Sequence, residues 1–339
     1  MTCYFIGIFS AEKLEGIAIA QFLNLNKLDS FGNRDKCLKT MLRNFTFRNF
    51  ASHVLFIGNN MLTGQNAFIF SDKIDKLQAL STLKCAVTQM HSILENKGKR
   101  VHITTYKDFD SREIGEFGPD FKKAYRFSTQ PNMILNIRNS WKNEQDYIDA
   151  FSKKYRDQYK RARKKSLGIS KRKMTLEDII FYEERIYELY LHVAHHAPFN
   201  SFYLAKNHFR TLKKHLGEAF CFYGYFLDKE LIGFNTLIKN GSTMETYFLG
   251  YDENEQREKM LYLNMLYDMI AYSVNNGFKE IIFARTALEI KSSVGAEPIE
   301  MYGFIEHSRP FINQFMERIF GYLEPKTAWQ QRHPFKLTE

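Results

Sequence analysis

Phe5-Ile6-Gly7-Ile8-Phe9 through Leu14-Glu15-Gly16-Ile17 and Phe222-Tyr223-Gly224-Tyr225-Phe226 through Leu231-Ile232-Gly233-Phe234 are two copies of one pattern. Shifted by 217 positions (222 − 5), Phe5, Gly7, Phe9, Leu14 and Gly16 fall on Phe222, Gly224, Phe226, Leu231 and Gly233. Each copy reads as a β-hairpin: an apolar strand, a charged turn (Ala11-Glu12-Lys13 or Asp228-Lys229-Glu230), and a second strand opened by Leu-x-Gly.

The elements downstream of each hairpin repeat as well. After the first come an expected strand (52–58), a helical stretch (74–97), Gly98 and another strand (100–104). After the second come a strand (243–251), a helical stretch (259–276), Gly277 and a strand (280–283). The same order twice predicts two similar α+β domains in tandem, 1–127 and 128–320, with a polar tail over 321–339. About ninety residues precede the second hairpin: a strand (133–137), one basic helix (144–166), a short strand (168–174) and helical stretches (176–193 and 203–216). The first copy has no such run, so the expectation is that the first domain is N-terminally incomplete.

At 339 residues, 44% hydrophobic and 25% charged, the chain has enough apolar residues for two packed cores, which argues against disorder. No run has the length and apolarity of a transmembrane helix or the regions of a signal peptide, so the expected address is cytoplasmic. Cys3, Cys37, Cys85 and Cys221 are scattered without metal-type pairs. The net charge of +10 is concentrated in one place. From Lys153 to Lys173 there are eleven Lys/Arg against Asp157 alone, which is 11 − 1 = +10, so the rest of the chain sums to zero. Such a stripe suits a polyanion, and it also suits a solvated helix face. Ile148, Phe151, Tyr155, Tyr159 and Ala162 recur at helical spacing and form one apolar stripe, with the cations on its flanks.

The strand, the helix Asp146-Tyr147-Ile148-Asp149-Ala150-Phe151 running into Tyr159-Lys160-Arg161-Ala162-Arg163, the Gly-turn-Gly hairpin and the strand–helix–Gly–strand unit together resemble the GNAT-like acyltransferases. Within that superfamily they are similar to the tandem-domain branch that holds the FemAB-type peptidoglycan aminoacyltransferases and bacterial acyltransferases of peptidoglycan biosynthesis or recognition. The segment Phe283-Ala284-Arg285-Thr286-Ala287-Leu288-Glu289-Ile290-Lys291 is similar to one in that branch. The likeness is good over 131–306 and fainter over 3–104. It implies two tandem GNAT-like domains with mixed central sheets. It also implies an N-acyltransferase whose donor is acyl-CoA, with an aminoacyl-tRNA as the alternative, and an amine acceptor that is a small molecule or a cell-wall precursor. Contact with tRNA or an anionic lipid surface would run through Lys153–Lys173, which allows a peripheral place at the inner membrane face.

In a GNAT domain two strands splay so that the pantetheine arm pairs as an extra strand, here along Phe248 and Leu249. The pyrophosphate sits at the start of the next helix, where free N–H groups and the helix dipole favour an anion. The matching loop is Gln256-Arg257-Glu258-Lys259-Met260-Leu261, with neither of the usual glycines, so Gln256, Arg257 and Lys259 would bind phosphate by side chain. Loss of those glycines also admits a non-catalytic binding module on the same fold.

Acyl transfer to an amine needs a proton acceptor and support for the carbonyl oxygen. Glu245 and Tyr247 alternate onto one strand face, as base and as proton donor to the leaving group; a polar outer strand face is the competing reading. Arg285, Glu289 and Lys291 lie just past a strand end as further catalytic candidates, against a surface ion-pair cluster. His192, His195 and His196, before Pro198, lack the partners of a metal site, so no metal is expected. Cys221 sits in an apolar strand and reads as a structural thiol.

Overall fold

The computed structural model describes residues 1–27, 49–197, 202–323 and 329–336; Cys37 and Pro198 lie outside them. Its strands are β1 (Thr2–Ser10), β2 (Lys13–Asn24), β3 (His53–Ile57), β4 (Phe68–Phe70), β5 (Ile103–Phe109), β6 (Tyr125–Asn136), β7 (Ser170–Lys173), β8 (Phe220–Leu227), β9 (Glu230–Asn240), β10 (Thr243–Tyr251), β11 (Glu280–Ile282) and β12 (Glu297–His307). Helices of six or more residues are α1 (Lys76–Asn96), α2 (Glu144–Ala150), α3 (Lys153–Lys165), α4 (Leu176–Phe181), α5 (Glu183–His196), α6 (His208–Leu216), α7 (Glu253–Lys259), α8 (Leu261–Asn275), α9 (Leu288–Ser293) and α10 (Met316–Leu323).

The chain divides into two compact units, Met1–Pro131 with Ile299–Thr327, and Asn132–Pro298 with Ala328–Glu339. The division is not linear in sequence. It differs from the expected 1–127 and 128–320 because β12 pairs antiparallel with β5, which carries Ile299–Thr327 into the first unit.

In the first unit the strands run β1-β2-β3-β5-β12, with β4 on β2. The β3–β5 pair is parallel and the other neighbours are antiparallel. Its core gathers Leu55, Ile57, Tyr106 and Phe109 from the sheet against Leu80, Leu83 and Val87 of α1. In the second unit the order is β7-β8-β9-β10-β11 and then the end of β6, with β10–β11 parallel. Met244, Tyr225 and Ile281 of this sheet pack on Leu266, Tyr267 and Ile270 of α8 and on Phe151 and Tyr155.

The repeat holds in detail. Both hairpins close on two-residue turns, Ala11-Glu12 and Asp228-Lys229, where Ala11, Asp228 and Lys229 have positive φ. Each carries a register shift at the same repeat position, Ile8/Phe9 and Tyr225/Phe226 (8 + 217 = 225). After α1 and α8 the chain passes through Gly98 and Gly277, at φ +71° and +72°, left-handed backbone that glycine adopts without the cost a Cβ incurs.

Three expectations are corrected. The single basic helix over 144–166 is two helices, because Phe151 and Ser152 are extended. There the chain pairs with the C-terminal segment: Ser152 N donates to Pro334 O, Lys336 N donates to Ala150 O, and Phe151 bridges Phe335. The stretch over 176–193 likewise breaks at Tyr182 into α4 and α5. Third, the described part of the tail is a docked segment. Phe335 stacks on Phe151 at 5.6 Å and lies against Trp141 and Tyr147, so its apolar ring outweighs the polar residues around it.

Candidate active site

The second unit opens where the sequence places the chemistry. β10 pairs with β11 only at Thr243–Glu245 with Glu280–Ile282; from Thr246 to Tyr251 it runs on without β11. On its other side the register against β9 shifts between Thr246 and Leu249. Thr236 Oγ1 donates to Phe248 O at 2.5 Å across that irregularity. Phe248 and Leu249 therefore lie on a strand edge that has lost its parallel neighbour.

Glu245 is the last paired residue before this opening, and it is 5% exposed. Met244 faces the α8 core, so the alternation of side chains turns Glu245 to the other face, with Ile238 and Phe220 in the same row. Burial pushes its carboxyl up to about 7; a hydrogen bond with Asn240 opposes the shift and Glu280 adds to it. A carboxyl with that value takes a proton near neutral pH, whereas an ordinary one does so poorly. Tyr247 shares a hydrogen bond of 3.1 Å with Nε2 of His208, the first residue of α6, and the two rings stack. Burial raises the Tyr247 phenol and lowers the His208 imidazolium, so both are neutral in the fold. His208 was not singled out in the sequence; its place directly before Phe209 at the start of a short helix carries no signature.

The other candidates separate. Lys291 is 5% exposed, and Nζ donates to the carbonyls of Phe283 (2.6 Å), Ala284 (3.3 Å) and Arg285 (2.6 Å). Burial pulls its ammonium down to about 7. All three donors are engaged, which makes it a clamp on a loop where Ala284, Thr286 and Ala287 have positive φ. Glu289 is exposed, accepts from Gln330 N and Arg332 Nη2, and so ties down the C-terminal segment. Burial pulls the Arg285 guanidinium down to about 10. The polar atoms of Lys291 and Glu289 are thus engaged away from Glu245.

Gln256, Arg257 and Lys259 belong to helix α7, not to a loop. Arg257 pairs with Glu253 and Lys259 with Glu258. The start of α7 is acidic: Asp252 caps it by accepting from Asn254 N, and Glu253 and Glu255 fill its first turn. The helix that follows the 256–261 stretch is α8, and its first turn carries no acid. Met260, at φ +52°, separates α7 from α8.

The basic stripe divides into two populations. Arg163 turns inward, with Nη1 at 2.7 Å from Asp268 Oδ1 and Nη2 at 3.1 Å from Glu144 Oε1. Tyr225 OH donates to Asp268 Oδ2, Asn235 Nδ2 donates to Tyr225 OH, and Tyr159 OH donates to Glu144. Burial opposes the Arg163 charge, but Asp268 and Tyr159 outweigh it and hold the group above its ordinary value. The signal for this network was present, since Arg163 stands four residues after Tyr159 on the buried stripe. Arg172 pairs with Asp178 and Lys173 with Glu218. Lys153, Lys154, Lys160, Arg161, Lys164 and Lys165 are exposed on α3 and make no ion pair among the described residues.

His192 hydrogen-bonds Glu253 at 3.2 Å, and no group of metal-ligating side chains gathers among the described residues. Cys221 is buried, with Sγ at 3.7 Å from Tyr272 OH. No described helix is long and apolar enough to cross a membrane.

No protein-family model and no curated protein sequence matches this chain. Solved structures do. FemX is 12% identical, with a TM-score of 0.54 over 94% of this chain and 90% of its own. L-PGS from Bacillus licheniformis is 10% identical, with a TM-score of 0.50 over 94% and 89%. A tandem GNAT protein from the clavulanic acid biosynthesis pathway is 11% identical, with a TM-score of 0.50 over 91% and 84%. The fold is therefore the tandem GNAT-like, FemAB-type fold, a mixed α+β architecture over most of the chain.

Proposed function

We propose that this protein is an aminoacyltransferase that moves an aminoacyl group from tRNA to an amine, in a small molecule or a cell-wall precursor. The observation that carries the reading is Glu245, a buried carboxyl at about 7, at the point where β10 loses its parallel partner. A donor lying along the Thr246–Tyr251 edge would bring its ester carbon beside that carboxyl. In the step proposed, the amine nitrogen bonds to the carbonyl carbon and its proton passes to Glu245. The ester C–O bond breaks, and Tyr247, hydrogen-bonded to His208, protonates the departing ribose oxygen.

The choice of donor rests on charge. The 256–261 stretch lacks the glycines that would let backbone N–H groups reach a pyrophosphate at the start of α8, while six cations on α3 that make no ion pair among the described residues suit a nucleic-acid backbone. An anionic membrane surface would meet the same cations and would bring the protein to the inner membrane face without a spanning helix. Acyl-CoA is the second reading, favoured by the open β10 edge, where Phe248 and Leu249 offer backbone groups to a pantetheine arm. A binding module without turnover is the remaining alternative, and Glu245→Gln separates it, since a binder keeps its ligand.

The test is thermal stabilisation by charged tRNA, acetyl-CoA, long-chain acyl-CoA and free CoA at low and high salt. Stabilisation by tRNA that fades with salt is expected. A salt-resistant response to one acyl-CoA alone would overturn the donor assignment.

A further inference from the structure

His53, His102 and His307 stand together at one end of the first unit's sheet. β3 begins at His53, β5 begins just past His102, and β12, antiparallel to β5, ends at His307 opposite Ile103. The His53 and His102 rings stack at 5.0 Å. The backbone closes around them: His102 N donates to His53 O, and Ser308 N donates to His102 O. His102 and His307 are buried.

Hydrogen bonds fix the place of the proton on each ring. Arg309 N donates to Nδ1 of His307 at 3.0 Å, so that nitrogen is bare, and Nε2 donates to Phe50 O at 2.7 Å. His53 N donates to Nδ1 of His102 over a long 3.4 Å, and Nδ1 of His53 donates to Arg100 O at 3.0 Å. A proton added to His307 or His102 would enter at Nδ1, set one N–H against another and break the contact.

The surroundings disfavour that proton as well. Burial, with the charges of His53, Arg100 and Arg309 behind it, holds His102 down to about 4. Burial also holds His307 below its ordinary value, with Arg309 and Arg100 adding to the effect and the hydrogen bonds to Phe50 and Arg309 opposing it. β2 presents Phe22, whose ring lies 5.7 Å from His53 with Lys99 over its other contacts at 5.9 Å. α1 presents His91 and Glu95, and β12 presents Glu306, which pairs with Lys84. Those two carboxylates act on His91, whose charge burial disfavours and they favour. Beyond β12, Asn313 accepts from His307 N.

We propose that His53, His102 and His307 form an acid-sensitive latch: the neutral rings fasten the end of β12 to the starts of β3 and β5, and protonation releases it. The latch lies within the first unit and is independent of the donor and the chemistry of the second. Its sign follows from His102, whose folded value lies below the ordinary 6.5, so the stability it contributes is complete above about 6.5 and is lost as pH falls toward about 4. One ring released from about 4 to about 6.5 lowers protection about thirtyfold at pH 5 relative to pH 7.5.

The test is hydrogen exchange of the full chain at pH 7.5, 6 and 5, read as protection factors that remove the intrinsic pH dependence. Amides 102–106 and 303–309 are expected to lose at least about tenfold in protection between pH 7.5 and 5, while amides 16–20 of the β1–β2 hairpin change less than about twofold. In the chain carrying His102→Asn and His307→Asn, Oδ1 takes the acceptor place of Nδ1 without taking a proton, and the loss is expected to fall below about threefold. Unchanged protection of the parent at pH 5, or an equal loss in the double variant, would overturn the proposal. Where the double variant is unprotected even at pH 7.5, imidazole titration of the parent by NMR decides. Rings of His102 and His307 that stay neutral until those amides open are the expected result, and rings that take a proton near 6.5 while the amides stay protected would overturn it.

Discussion

The two units share a hairpin, a bulge, a parallel strand pair and a helix ended by glycine, yet they differ at the place where chemistry is expected. Glu245 pairs with Ile238, and the repeat puts Gln21 at that position in the first unit (21 + 217 = 238), where it pairs with Phe56. The first unit thus holds a phenyl ring where the second holds a buried carboxyl near 7. Likewise α6, which brings His208 to Tyr247, has no counterpart among the described residues of the first unit. On the proposed function, one backbone would serve as scaffold or as site according to a few side chains and the helical layer over one sheet face.

The sharpest way to break that asymmetry is at its paired positions. Glu245→Gln should lower kcat by about 10²- to 10⁴-fold, the usual weight of a general base, with KM little changed. Phe56→Leu should leave kcat within about twofold, since that ring touches no reacting group. Equal losses from both substitutions would show that the units act together.

Next in size is the Lys291 clamp. Lys291→Met removes the donor to one buried and two part-buried carbonyls and should cost about 3 kcal/mol in urea unfolding of the second unit. A catalytic lysine would instead lose turnover at unchanged stability.

Glu245 also gives a pH dependence with a defined sign. Its folded value, about 7, lies above the ordinary 4.5, so the fold holds the proton more tightly than the unfolded chain does. The stability that this contributes is complete below about 4.5 and is lost as pH rises through about 7, on the order of 3 kcal/mol in all. Glu245→Gln should therefore be more stable than the parent at pH 8 and no more stable at pH 4. Turnover should rise with pH through about 7 as the base ionises. A pH-independent difference between the two proteins would contradict the buried, raised carboxyl.

The smallest expected effect is on the surface of α3. Lys160→Glu with Lys164→Glu should weaken tRNA binding about tenfold at low salt, less at high salt, and leave the unfolding midpoint unchanged. Arg163→Ala, on the same helix, should do the reverse: it leaves Asp268 with Tyr225 and the more distant Lys171 and costs about 2 kcal/mol of stability, because Arg163 points inward.

Much of this was legible in the residues. Glycine spacing and the apolar alternation of Phe5 and Phe222 made both hairpins and their register readable, since a strand shows its two-residue period locally. The break at Phe151-Ser152 was not, because it is caused by Pro334–Lys336, some 180 residues away in sequence. The same holds for the placement of β12 with the first unit, which depends on a pairing with β5 that no local pattern encodes. In the proposed site, strand alternation put Glu245 and Tyr247 on one face, and the family resemblance made them candidates. His208 and the inward turn of Arg163 depend on tertiary packing, as does the break at Met260 that puts Arg257 and Lys259 in a helix of their own.

The most direct test is a transfer assay with the purified chain, an amine acceptor pool and two labelled donors, charged tRNA and acetyl-CoA, run beside Glu245→Gln. The account predicts product from charged tRNA, none above background from acetyl-CoA, and a loss of at least a hundredfold with Glu245→Gln. Product from acetyl-CoA alone, or full turnover by Glu245→Gln, would contradict it.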